Sequence, residues 1–179
     1  IAAAGMAKRD YKTLVGAVDG LDVSVKIAAD SAWFRSGLNI DSVNIPPNVE
    51  VRSYGDYPGL RKLYAESAFV VVPLQESVHA CGYAVIAEAM AMGKPVITTY
   101  ITGHSDYIVE GETGFYVPHE DRDALRDRIS YLLENPDVAR TMGLKARSLM
   151  ESEFTLEQYS EKIAAAAGLT NTADRSISR

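Results

Sequence analysis

The sequence predicts an α/β fold, a mostly parallel sheet of about five or six strands with helices on both faces. Three observations predict it. Short apolar runs alternate with helical patterns from residue 2 to residue 133. Residues 69–73 (FVVVP) are a continuous apolar run, as in strands buried on both faces. Residues 82–97 (GYAVIAEAMAMGKPVI) then read as a short helix leading into a further strand.

Taken in order, residues 2–4 read as a strand and Gly5 as the turn after it. A helix follows with Tyr11, Leu14, Val15 and Val18 as its apolar stripe and Asp10 as its N-cap. Residues 21–28 (LDVSVKIA) alternate and predict a second strand. Residues 29–44 carry no clear period, and Trp33 and Phe34 are expected to anchor them to the core. Pro46, Pro47 and Asn48 predict a turn before a strand at 49–53. Residues 54–59 read as a loop, and Leu60, Leu63 and Tyr64 open a short helix ending before Phe69. Residues 75–81 are polar apart from Val78 and show no period.

From Gly82, Ile86, Ala89, Met90 and Gly93 fall on one helical face. Glu88 lies about 200° round from Ile86, among Ala84, Ala87 and Ala91, whose small side chains permit close approach. Because Glu88 points away from the apolar stripe, Glu88→Ala is expected to leave stability nearly unchanged. Gly93 and Pro95 end the helix, and Val96 opens the next strand. Gly111 and Gly114 are read as turn glycines before a strand at 115–117. Helices are predicted at 121–133, 136–150 and 155–167, with Pro136 at a first helical position and Thr155 and Gln158 as a capping box. Residues 1–168 are expected to form the domain, and the polar residues 169–179 a frayed tail.

The chain of 179 residues is 47% hydrophobic and 23% charged, enough for a proper core. A net charge of −6 argues against a nucleic-acid-binding face. The single cysteine, Cys81, excludes an intrachain disulfide framework and a Cys-based zinc site. No apolar run approaches the ~20 residues of a spanning helix. No signal peptide is read, which leads to the expectation of a cytoplasmic protein. Starting at IAAAG, without Met, the sequence is expected to be a piece of a longer one.

Residues 88–97 (EAMAMGKPVI) resemble the nucleotide-sugar-binding half of GT-B glycosyltransferases, in particular the large retaining family 4. The segment TGHSDYIVEGETGFYVP resembles that family's GG-x-P-E-I-V-x-D-G-x-T-G-F-L-V, with Gly103 on its second Gly and Asp106 on its Glu. The resemblance spans about residues 5–165 and implies a Rossmann-like domain, one half of a GT-B fold. The family's E-x7-E motif has its second Glu at Glu88, the residue the resemblance assigns to a ribose diol. The position of the first Glu is Ala80, and Glu76 lies four residues too early. Three outcomes stay open beside the donor sugar: Glu76 reaching in from a reshaped loop, His79 replacing the contact, or the contact being lost, and His79 is the favoured one.

In a parallel sheet the loops after the strands share one edge, where ligands bind at the switch point. The loop after residue 4 and the loop before Gly82 both reach it. Arg9 falls on the family's diphosphate-neutralising lysine and Met6 on its arginine, with Lys8 and Lys12 as neighbouring cations. By itself Arg9 reads as a solvated basic residue at a helix start. Gly82 leaves room for an anion at the N-terminus of its helix. Tyr54 follows the strand whose loop borders the nucleotide base in the family; by itself it reads as core. The donor-binding set is thus expected to be Gly5, Lys8, Arg9, Tyr54, His79, Gly82, Tyr83 and Glu88. No catalytic residue or metal is assigned. Asp121 and Asp123 match a D-x-D metal motif, but a helix start favours acids anyway.

The resemblance implies a hexose transferred from a nucleoside diphosphate sugar to an acceptor, with retention and without an obligatory cofactor. The missing N-terminal acceptor domain is the expected partner and the route to any peripheral membrane contact. This chain alone should bind donor without transferring it. Two alternatives stay open, a non-catalytic nucleotide-sugar-binding partner subunit, which Ala80 favours, and a nucleotide-sugar epimerase of the same fold.

Overall fold

The computed structural model describes residues 1–29, 44–54, 56–104 and 106–168. Their elements run β1 (Ala2–Ala4), α1 (Tyr11–Val18), β2 (Val25–Ala28), β3 (Val49–Arg52), α2 (Tyr57–Glu66), β4 (Val70–Val72), α3 (Tyr83–Ala91), β5 (Val96–Thr99), β6 (Gly114–Val117), α4 (Arg122–Glu134), α5 (Pro136–Glu153) and α6 (Leu156–Ala166). The strands form one sheet ordered β3-β2-β1-β4-β5-β6, and every pairing is parallel. This is the doubly wound order of a Rossmann-like sheet.

Side-chain alternation divides the core between the two faces of that sheet. Ile27, Ala3, Val71, Ile97 and Phe115 are neighbours in register across five strands and all point to one face. There they meet Leu14, Val15 and Val18 of α1 and Leu125, Ile129 and Leu132 of α4. Ala2, Val70, Val72 and Val96 point the other way, toward Leu63 and Tyr64 of α2 and Val85, Ile86, Ala89 and Met90 of α3. The central strands β1 and β4 are therefore buried on both faces, which is why they read as unbroken apolar runs.

Local chemistry sets the boundaries. The Asp10 side chain accepts the Thr13 N–H at the start of α1. The Thr155–Gln158 capping box opens α6. Lys94 donates to Ala65 O at 2.9 Å and to Ser67 O at 2.7 Å, satisfying carbonyls at the C-terminal end of α2. Among the described residues no helix is long and apolar enough to cross a membrane.

Four expectations are corrected. The strand predicted at 21–28 is confined to Val25–Ala28, because Leu21 and Val23 are held in the turn after α1 through Val18 O and Leu21 O. Helix α2 begins at Tyr57 rather than Leu60, because Asp56 caps it by accepting the Gly59 N–H at 2.8 Å. Gly114 is a strand residue, needed because a Cβ there would overlap the Val96 carbonyl across the sheet. Helix α5 continues past Met150 to Glu153. The expectations for Trp33, Phe34 and the tail 169–179 lie outside the described residues.

Candidate functional site

The strand order reverses between β1 and β4, and their following helices go to opposite faces, α1 to one and α3 to the other. A crevice opens at that point outside the carboxyl ends of the strands. Two loops border it, residues 5–10 after β1 and residues 73–82 after β4. They are joined directly. Arg9 and Leu74 form an antiparallel bridge, Asp10 N–H donates to Pro73 O at 3.0 Å, and Gln75 N–H donates to Lys8 O at 3.0 Å. A third loop, following β5, closes on the second. Thr102 N–H donates to Glu76 Oε1 and Gly103 N–H to Ser77 O. Leu74 N–H donates to Thr99 Oγ1 at 2.9 Å, anchoring the base of the same loop.

Gly5 takes φ +96, a left-handed backbone that favours glycine, and turns the chain off β1. Lys8 also has positive φ, +55, and its side chain is exposed at the rim. Arg9 is placed differently from a free phosphate ligand. It is only 7% exposed, and its guanidinium donates to Ala4 O and Ala7 O, each at 2.8 Å. Burial pushes its pKa down, opposed by the neighbouring Tyr11, Cys81 and Tyr64; a guanidinium remains charged regardless. Arg9 thus braces the loop from behind, and Lys8 is the cation that faces out. The Tyr11 hydroxyl, held protonated by burial, donates to Gly5 O and closes the same turn.

Gly82 is the N-cap of α3 at φ +77. It offers no side-chain cap, so the first-turn N–H groups of α3 face the crevice without a side-chain acceptor from the cap. An added Cβ would press on Val72 at 3.0 Å. The Tyr83 side chain is held by the loop after β5, its hydroxyl donating to His104 O at 2.9 Å and its ring 5.6 Å from that of Tyr107. His79 and Ala80 are exposed on the loop. Cys81 is half-buried, its Sγ 3.6 Å from Ser77 Oγ.

Glu88, two turns into α3, is half-buried and accepts a hydrogen bond from the Tyr64 hydroxyl at 3.2 Å. Burial raises the Glu88 pKa, and the Tyr64 hydrogen bond works against that rise. Tyr64 is 2% exposed, and burial, then the Glu88 charge, push its pKa far up, so it stays a donor. Tyr64 was read from the sequence only as an apolar helix residue. The one sequence signal was a hydroxyl-bearing ring in the stripe of a short helix.

Tyr54 stands apart from these contacts, at the end of β3. The Arg52 guanidinium lies 4.6 Å from its ring centre, and both line a cavity of about 460 Å³ with Lys62 and Glu66. The Tyr54 hydroxyl is enclosed beside the Arg52 side chain. Asp121 is the N-cap of α4, accepting the Ala124 N–H at 2.8 Å.

The sequence from residue 11 to residue 135 matches the family described as Glycosyl transferases group 1. The chain belongs to this family. Among curated relatives of the family, trehalose synthase of Pyrococcus horikoshii is 38% identical over 77 residues, covering 43% of this chain and 18% of its own. The capsular polysaccharide biosynthesis glycosyltransferase CapM of Staphylococcus aureus is 37% identical over 76 residues, 42% of this chain and 20% of its own. The lipopolysaccharide core biosynthesis mannosyltransferase LpcC of Rhizobium leguminosarum matches 80% of this chain at 26% identity and 40% of its own. The chain therefore spans less than half the length of these relatives.

Solved structures agree on the fold. Sucrose-phosphate synthase of Thermosynechococcus elongatus superposes with a TM-score of 0.78 at 24% identity, over 93% of this chain and 44% of that one. The C-terminal domain of LpcC from Francisella tularensis gives 0.69 at 14% identity, over 86% of this chain and 84% of that domain. Anabaena HepE, solved with UDP-glucose, gives 0.74 at 16% identity, over 94% of this chain and 49% of that one. The fold is that of a GT-B glycosyltransferase half.

Proposed function

We propose that this chain is the donor-binding half of a glycosyltransferase, holding a nucleoside diphosphate sugar in the crevice between β1 and β4. The observation that carries the reading is the joining of the Lys8 loop to the loop that leads into α3. It sets an exposed ammonium and a helix start with no side-chain cap on one crevice, the arrangement a diphosphate needs. Glu88, further along α3, offers carboxylate oxygens to a ribose diol. HepE, a neighbour in fold, is solved with UDP and with UDP-glucose, which supports a donor of that class. In the whole protein, transfer of a hexose with retention would need a second half to bring the acceptor.

Calorimetric titration of the chain with UDP, GDP and ADP tests the reading. One of them is expected to bind, with Lys8→Ala weakening it ~10-fold or more, as loss of a charge-assisted hydrogen bond does. Absence of binding by all three overturns it. The exposed Ala80, where the family has its first Glu, keeps a second reading in view, a subunit that binds nucleotide sugar without catalysing transfer. Reconstitution with the acceptor half separates the two, since only the first produces glycosylated acceptor.

A further inference from the structure

Tyr64 belongs to α2, in a part of the chain with no assigned part in ligand binding, yet its hydroxyl reaches Glu88 Oε2 on α3 at 3.2 Å. Its surroundings are unusual for a core tyrosine. The ring is packed with Leu63, Val85 and Ile86 in the apolar cluster between the sheet and its helices. The hydroxyl lies within electrostatic reach of Arg9 on the β1–α1 loop, of Tyr11 at the start of α1 and of Glu88 on α3. One buried side chain thus hydrogen-bonds the α3 wall of the crevice and stands within the field of the other. Glu88 accepts one hydrogen bond through Oε2, and Oε1 has no protein donor among the described residues.

We propose that Tyr64 is a positioning residue for the ribose contact, an inference that rests on the donor-binding reading above. A half-buried carboxylate on an alanine-rich helix face has two soft side-chain torsions left to fix and a burial penalty that favours its neutral form. The Tyr64 hydroxyl answers both. It fixes the carboxylate plane by holding Oε2, and, as a donor that stays protonated, it favours the ionised form. Oε1 and the remaining lone pairs then stand ready for two vicinal hydroxyls. Tyr64 touches no ligand atom itself and acts only through Glu88. Arg9, nearly buried and hydrogen-bonded to Ala4 O and Ala7 O, keeps a positive charge within electrostatic reach of that hydroxyl.

The test compares UDP, GDP and ADP with their 2′,3′-dideoxy forms on the wild-type chain, Tyr64→Phe, Glu88→Gln and the double variant. Wild type is expected to prefer the ribose form of its nucleotide at least tenfold. Tyr64→Phe should cut that preference about threefold to tenfold, leave dideoxy affinity unchanged, and add nothing once Glu88 is Gln. A merely structural tyrosine would lower both affinities together and keep the ratio, and that result overturns the proposal while leaving the donor reading intact. No nucleotide binding in wild type overturns both. Binding without ribose preference in wild type overturns the Glu88 contact and this proposal, but not diphosphate recognition. Should Tyr64→Phe not fold, wild-type protein with 13Cζ-labelled tyrosine gives the same answer. The Tyr64 resonance should move with the ribose nucleotide and stay still with its dideoxy form; equal movement with both overturns the proposal.

Discussion

The Glu76 carboxylate accepts the Thr102 backbone N–H at 3.0 Å, which ties the loop after β4 to the loop after β5 along one wall of the crevice. That hydrogen bond is also the main reason the Glu76 pKa lies below its ordinary 4.5. It holds one Glu76 oxygen on the loop after β5, which weighs against Glu76 turning inward as a substitute for the missing first Glu of the family motif.

Glu76→Ala should therefore loosen the two loops and leave the melting temperature in place, because Glu76 is exposed. Hydrogen-exchange protection of the Thr102 amide is the measurement, and unchanged protection would count against the tie. The sign of its pH dependence follows from the lowered pKa. The fold favours the carboxylate, so the tie is complete above pH 4.5 and weakens as pH falls through the lower folded value. Thr102 protection in the wild type should follow that course.

Gly103 donates its N–H to Ser77 O at 2.8 Å and lies so close to His79 that a Cβ would overlap the His79 carbonyl. Gly103→Ala is expected to displace the His79 loop and destabilise the chain by ~1–3 kcal/mol, as overpacking does. Denaturant unfolding measures it; a midpoint equal to wild type argues that the loop can shift freely.

Glu88→Ala and Glu88→Gln should differ in stability, contrary to the expectation that Glu88 is neutral to the fold. Alanine leaves the nearly buried Tyr64 hydroxyl without its acceptor, at about 1–3 kcal/mol. Glutamine keeps an acceptor oxygen. The Glu88 pKa is raised in the fold, so its contribution is greatest below the ordinary 4.5 and declines as pH rises through the folded value. At neutral pH Glu88→Gln should be at least as stable as wild type, and thermal unfolding of both variants decides.

Ala80 is exposed and has no polar side-chain atom to hold a sugar, and His79 beside it is exposed as well. On the donor-binding reading, the free nucleoside diphosphate should bind within ~1.4 kcal/mol, about tenfold, of its sugar conjugate. Competition titration with both ligands checks this. A conjugate bound a hundredfold tighter would mean another residue grips the sugar, and His79→Ala would show whether it is His79.

Most of the architecture was legible in the residues. The unbroken apolar runs of β1 and β4 announce strands buried on both faces, and Gly93 followed by Pro95 stops α3, because these are properties of neighbouring residues. The caps at Asp10 and Thr155 were read for the same reason. The phrase around Glu88 likewise carried the family. Strand lengths were not legible in the same way. The alternation of residues 21–28 promised eight strand residues, but a strand extends only as far as a neighbour pairs with it, and β2 keeps four.

The site divided along the same line. Sequence alone determined that a glycine turn, a basic loop, a glycine-started helix and Glu88 belong to this chain. Only the tertiary structure decided what each side chain does. It turned Arg9 inward onto the carbonyls of its own loop and left Lys8 facing out. It tied Glu76 to Thr102 and carried the Tyr64 hydroxyl across 24 residues of sequence to Glu88. Those outcomes depend on which donors and acceptors come within about 3 Å once the sheet is assembled, and no local pattern of residues encodes that distance.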